Sequence, residues 1–192
     1  METLISVAVG LGLAAACGFR VFVPLLALSL GARSGYVPLS PGFDWIASDT
    51  AAIAFGCATL LEVIGYYIPW LDHALDVAAT PAAIAAGMVT SASVFADLPP
   101  LVRLTAAIVG GGGMAALVQG STVALRAGSA AATGGVANVL IATGELAGSV
   151  IVSALALLLP FVAVVVALGF AWMVYAVARR VLRQPPTGVS GF

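Results

Sequence analysis

From residue 136 to residue 178 the chain carries one charged side chain, Glu145, and no other stretch constrains the fold so tightly. A single helix of that length would reach about 65 Å, twice the thickness of a bilayer's hydrocarbon core. It must therefore be two apolar segments. Pro160 is the natural break, because proline removes a backbone donor and clashes with the preceding turn. Further apolar runs, each about the length of one membrane crossing, lie at about 4–30, 51–71 and 101–125. Only 8% of the 192 residues are charged, against about 25% in a soluble domain. The chain reads as all-α, a polytopic transmembrane helical bundle with five or six apolar segments, some of them kinked or re-entrant. Residues 1–183 form one transmembrane domain and 184–192 a flexible C-terminal tail.

Proline and glycine mark where these segments depart from plain helices. The first carries Arg20 and Pro24 in its second half, which predicts a kink or break over residues 18–24. The stretch 72–96 is divided by Pro81, and the apolar part beyond it spans only about 22 Å as a helix. That is short for a crossing, so a tilted span or a re-entrant half-helix are both open. A re-entrant piece is tolerated only where its backbone faces protein or a water-filled cavity. Asp97 and Pro99-Pro100 introduce the segment 101–125, and a glycine run at 110–113 lies inside it. In lipid such a run favours close helix packing over a broken helix. A Gly- and Ala-rich connection follows at 126–135. The polar loop 31–50 holds Tyr36 and Trp45, aromatics suited to a membrane boundary, and Ser48-Asp49 suits a helix start.

Seven arginines and no lysine give a net charge of −1. There is no basic face for nucleic acid. The missing amine excludes a phosphate-loop lysine, a pyridoxal Schiff base and a retinal attachment site, and no cofactor is expected. Arg179, Arg180 and Arg183 after the last segment place the C-terminus in the cytoplasm by the positive-inside rule. Six crossings put the N-terminus there too; five place it on the other side. Cys17 and Cys57 lie in apolar segments and read as packing residues, not as a disulfide.

Charges at membrane depth carry the functional signal, since each costs about 2.5–3.5 kcal/mol at a helix centre. Arg20, Glu62 and Glu145 are the deepest by segment position, and Arg20 is expected to pair with at least one glutamate. Such a pair serves either a substrate, ion or proton site or the packing of helices. Asp72, His73 and Asp76 stand at helical spacing just past the second segment and are weak candidates for a divalent metal or a proton relay. A single histidine rules out multi-histidine zinc sites. A second polar group comprises Gln119, Ser121, Thr122, Arg126, Ser129 and Asn138, types that bond across helices in lipid. The string Gly188-Val189-Ser190-Gly191 matches an intramembrane serine nucleophile but sits in the polar tail with no placed base. Arg20, Glu62 and Gly65 recur at one offset as Arg103, Glu145 and Gly148, without further similarity around them.

Gly18-Phe19-Arg20, Pro24-Leu25-Leu26, Glu62, Ile68-Pro69, Asp72, Asp76, Thr80-Pro81 and Gly87 come in that order. They continue through Leu125-Arg126-Ala127-Gly128-Ser129, Gly135, Asn138 and Glu145. In these positions, nearly the whole chain resembles an uncharacterised family of small bacterial integral membrane proteins, the domain-of-unknown-function family 4126. It departs at Tyr66-Tyr67, where relatives often carry a charge, and at Leu146, where they often carry an acid. The resemblance implies a multi-pass protein of the cell (inner) membrane and singles out the same polar residues. It implies no activity.

The leading expectation is a transporter or channel-like protein for a small solute or ion, its pathway lined by Arg20, Glu62, Asp72, Asp76 and Glu145. The alternatives are a non-catalytic scaffold or partner-binding subunit, and a membrane enzyme acting on lipid. Partners are the bilayer and a second copy of the chain, the latter from small-residue faces at Gly10, Ala14 and Gly18 and at Gly144 and Gly148. Convergence of the charges on one cavity would favour transport, and a dry, tightly paired cluster would favour packing.

Overall fold

Pro160 does end one helix and begin the next. In the computed structural model, which describes residues 2–134 and 136–182 less the side chains of 69–74, 76, 181 and 182, α7 is Asn138–Leu158 and α8 is Pro160–Leu182. The proline occupies the first position of α8, where a missing N–H costs nothing. The earlier elements are α1 (Glu2–Cys17), α2 (Phe22–Arg33), a 3-10 turn (Asp44–Ala47), α3 (Asp49–Tyr66), α4 (Pro69–Val94) and α5 (Pro100–Ala106). A π-helical turn (Ala107–Gly112) then joins α5 to α6 (Gly113–Thr133) without a break. Among the described residues there is no strand. Five helices are long and apolar enough to cross a membrane: α3, the Val77–Val94 part of α4, the continuous Pro100–Thr133, α7 and α8.

The first apolar segment is not a sixth crossing. It breaks over residues 18–21, and the chain turns back. Gly12 packs against Ala156 and Ala163, Ser149 Oγ donates to Ala16 O, and Arg20 Nη2 donates to Ala142 O. Thus α1 runs antiparallel to α7. Glu62, near the end of α3, meets Val21 and Phe22 at the start of α2. Arg33, at the end of α2, pairs with Asp49 at the start of α3. Gly31 packs on Leu157 at the end of α7. Hence α2 climbs back to the side from which α1 descended, and the two short helices form a re-entrant hairpin. By the helical rise from Leu158 to Ala142, its tip reaches about 24 Å below the end of α7.

Small residues make room for the hairpin. Leu13, Ala14, Ala15, Ala16 and Cys17 are fully buried among α4, α6, α7 and α8. A Cβ on Gly18 would stand 2.7 Å from Ala115 O, and one on Gly87 would stand 2.8 Å from Gly111 O. The face Gly10, Ala14, Gly18 is therefore consumed within one chain, and Gly148 faces Phe19. Gly144 has nothing against it. The glycine run does serve close packing, as Gly111 and Gly112 lie against α4, and the helix passes through it with one wide turn.

Three boundaries differ from the sequence reading. Pro81 does not divide its segment: α4 continues through it. The re-entrant piece is thus the first segment and not the third. Pro81 is exposed on the helix, which carries on with one backbone bond fewer. The second difference is that 126–135 is largely not a connection. α6 runs on to Thr133 and stops at Gly134, whose φ of 64° suits the left-handed cap. The break between the second and third segments lies earlier than expected, where Ile68 precedes Pro69 and is held extended. Other expectations hold: Ser48 Oγ accepts from Ala51 N to cap α3, Tyr36 and Trp45 are exposed, and Cys17 is buried, whereas Cys57 is exposed and not a packing residue within the chain. The tail 184–192 lies outside the described residues.

A re-entrant hairpin puts Thr3 and Ser34 on one side of the membrane and Thr133 on the other. Single-cysteine variants T3C, S34C and T133C should label with a membrane-impermeant maleimide in that pattern, and labelling of T3C and S34C from opposite sides would exclude the hairpin. G18A and G87A should each destabilise the detergent-solubilised protein by about 1–3 kcal/mol, read as a lowered unfolding midpoint, because backbone atoms block the added methyl.

Candidate functional site

A chain that breaks its helix inside a membrane must find partners for the freed peptide groups. At the hairpin tip Gly18 N and Phe19 N still bond back to Ala15 O and Ala16 O, and Arg20 N to Ala16 O. The first donors of α2 face nothing on their own helix. Glu62 supplies the acceptors: Val21 N donates to its Oε1 at 2.8 Å and Phe22 N to its Oε2 at 3.1 Å. A carboxylate at a helix N-terminus also meets the positive end of the helix dipole.

The tip delivers Arg20 into the bundle, where it is 2% exposed. Its Nη2 donates to Ala142 O at 2.8 Å and lies 3.5 Å from Glu145 Oε2. Its guanidinium carbon stands 3.7 Å from the centre of the Tyr66 ring. Arg126 of α6 reaches the same glutamate with two nitrogens, Nε to Oε1 at 2.9 Å and Nη2 to Oε2. Its guanidinium carbon is 4.6 Å from the same tyrosine ring. One carboxylate thus serves two cations, and one ring offers its π system to both. Two arginines and two glutamates cancel in charge, as burial demands. Tyr67 OH and Thr143 Oγ1, 3.0 Å apart, tie α3 to α7 beside them.

Of the residues singled out in sequence, Arg20, Glu62 and Glu145 meet, and the expected Arg20–glutamate pair is present. Arg126 leaves the second polar group to join them. Gln119 and Thr122 are buried higher on α6, next to the tip glycine. Ser129 Oγ and Asn138 Oδ1 are buried with no hydrogen-bond partner among the described residues. The side chains of Asp72, His73 and Asp76 lie outside the described residues, and among the described ones no three His, Cys, Asp or Glu side chains could share a metal. Arg103 sits in α5, far along the continuous helix from Arg126 and outside the cluster. Tyr66 was missed, although it follows Glu62 by four positions and so shares its helical face.

The cluster is buried but not central. Glu62 stands about one turn before the end of α3, and Arg126 and Glu145 stand about two turns from the adjoining ends of α6 and α7. From Glu145 a polar seam climbs α7 at intervals of four through Ser149 and Ser153, both buried, with Ser149 bonded to Ala16 O of α1. Ser153 Oγ has no partner among the described residues. One turn further, Leu157 lines a cleft of about 500 Å³ at the base of the hairpin. Glu62 is the chemical hinge: as a carboxylate it accepts two peptide N–H bonds, and a proton on it converts one acceptor oxygen to a donor.

A model of one family, described as Domain of unknown function (DUF4126), matches residues 7–180. No curated protein matches the chain, and no solved structure matches it.

E145Q should cost about 3–5 kcal/mol of stability in detergent, because it leaves two buried guanidinium groups without their shared carboxylate. R126M should cost less, since Glu145 keeps Arg20. Unfolding midpoints in the reverse order would show that Glu145 is not the hub.

Proposed function

Since the chain belongs to the DUF4126 family, whose description assigns no activity, we propose from the site alone that it is a transporter or channel-like protein for a small solute or ion. The observation that carries this reading is the re-entrant hairpin that ends at a buried charge cluster. Broken helices whose ends meet charged groups inside the bundle are how membrane transporters form their sites, and intramembrane charges default to function. In this reading the hairpin tip is a gate held shut by Glu62. Protonation of Glu62 weakens its grip on Val21 and Phe22, which couples proton uptake to movement of α2. The hydroxyl seam of Ser149 and Ser153 is the path from the cleft to Glu145, closed where Gly12 packs on Ala156.

A second reading has an observation of its own. Each charged side chain in the cluster has at least one opposite charge or peptide group against it, although Arg20 Nε and Nη1 are buried without a hydrogen-bond partner among the described residues; such pairing suits a non-catalytic scaffold whose charges fix helix packing. The cell membrane location, with a cytoplasmic C-terminus, belongs to both readings and rests on the terminal arginines.

Purified protein in proteoliposomes should dissipate an imposed pH gradient, or move a coupled ion, faster than empty vesicles. E62Q should insert and fold but lose at least tenfold of that flux. Absence of flux in the native protein, together with a large loss of stability in E62Q, would favour the scaffold.

A further inference from the structure

The cleft at the base of the hairpin lies at the opposite end of the bundle from the charge cluster, and nothing in the proposed gate accounts for its lining. One wall belongs to the hairpin, with Glu2 and Ile5 from the start of α1 and Tyr36 from the loop after α2. The other belongs to the fixed helices, with Val94 and Asp97 at the end of α4 and Leu157 at the end of α7. Its volume of about 500 Å³ falls in the range of small-molecule sites.

The chemistry of the lining is one-sided. Its two ionisable carboxylates, Glu2 and Asp97, face no arginine or histidine within the cleft, and neither is ion-paired among the described residues. Tyr36 is 59% exposed and offers an aromatic face. Most of the remaining lining is aliphatic. A bare metal ion is a poor match, because hard cations need six or more oxygens at short range. An anion is repelled. Two carboxylates, an aromatic face and an aliphatic floor together fit a cation that is itself apolar, such as a quaternary ammonium, whose recognition by aromatic faces is well grounded in electrostatics.

We propose that this cleft is a binding site for an organic ammonium ion from the aqueous phase, held between Glu2 and Asp97 with its apolar body against Ile5, Val94 and Leu157. The site bridges the mobile and fixed parts of the proposed gate, but its existence does not depend on transport. Binding is measured without flux, so its failure and the failure of the transport reading are separate results.

The test uses the full chain in dodecyl maltoside with phenyltrimethylammonium as the probe and tert-butylbenzene, its uncharged isostere, as competitor. Saturable binding by calorimetry is expected for the cation, with no displacement by the isostere. D97N and E2Q, both at exposed positions and so without effect on folding, should each weaken binding at least tenfold. R180Q, exposed at the far end of α8 and outside the gate, should leave it unchanged. Displacement by the isostere, full affinity in both D97N and E2Q, or a loss in R180Q equal to that in D97N would each overturn the proposal.

Discussion

Lipid leaves an unpaired peptide group nowhere to go, and the architecture follows from how this chain answers that constraint at one turn. The hairpin tip frees the first donors of α2, and Glu62 receives two of them. The carboxylate that makes the turn possible is itself a buried charge, and it requires neighbours. Arg20, delivered by the same turn, supplies a cation, but its hydrogen bond and ion pair go to α7 and not to Glu62. Glu145 and Arg126 complete the balance, and Tyr66 fills the space between the two guanidinium groups. The cluster is thus the set of partners a reversed chain needs.

Local chemistry was legible in the sequence where a single residue decides the backbone. Pro160 cannot sit inside α7, Ser48 caps α3, and the break near Gly18 follows from a glycine, an arginine and a proline within one turn or two. That Arg20 would meet a glutamate was legible, because a buried arginine has few possible counterparts in a chain with so few acids; which one was not. Where neighbouring helices decide, the sequence was silent. Pro81 looks like Pro160 on paper, yet α4 continues through it. Arg126 looks like a loop residue because it follows an apolar run and precedes glycines and alanines. Only the register of α6 against α7 turns it inward. Tyr66 lay in view four positions from Glu62, but its place depends on two guanidinium groups brought from helices distant in sequence.

The small-residue faces illustrate the same division. Spacings of four among Gly10, Ala14 and Gly18 announce a close approach of backbones, and that approach is real. Which helix approaches is not written in the spacing. Here it is α4 and α6 of the same chain, and the crowded glycines explain how two arms of 16 and 12 residues fit inside five longer helices.

The hairpin also bears on how such a protein is made. Neither arm is long enough to span a bilayer alone, and α1 finds its walls in α7 and α8, which come more than a hundred residues later in the chain. The segment that leaves the ribosome early is therefore among the last to reach its place. Until α7 is in the membrane, Arg20 has neither Ala142 nor Glu145 to meet, and α1 lacks its last wall until α8 follows. Assembly of the later spans is a precondition for the turn, and the charge cluster closes only once α7 has been made.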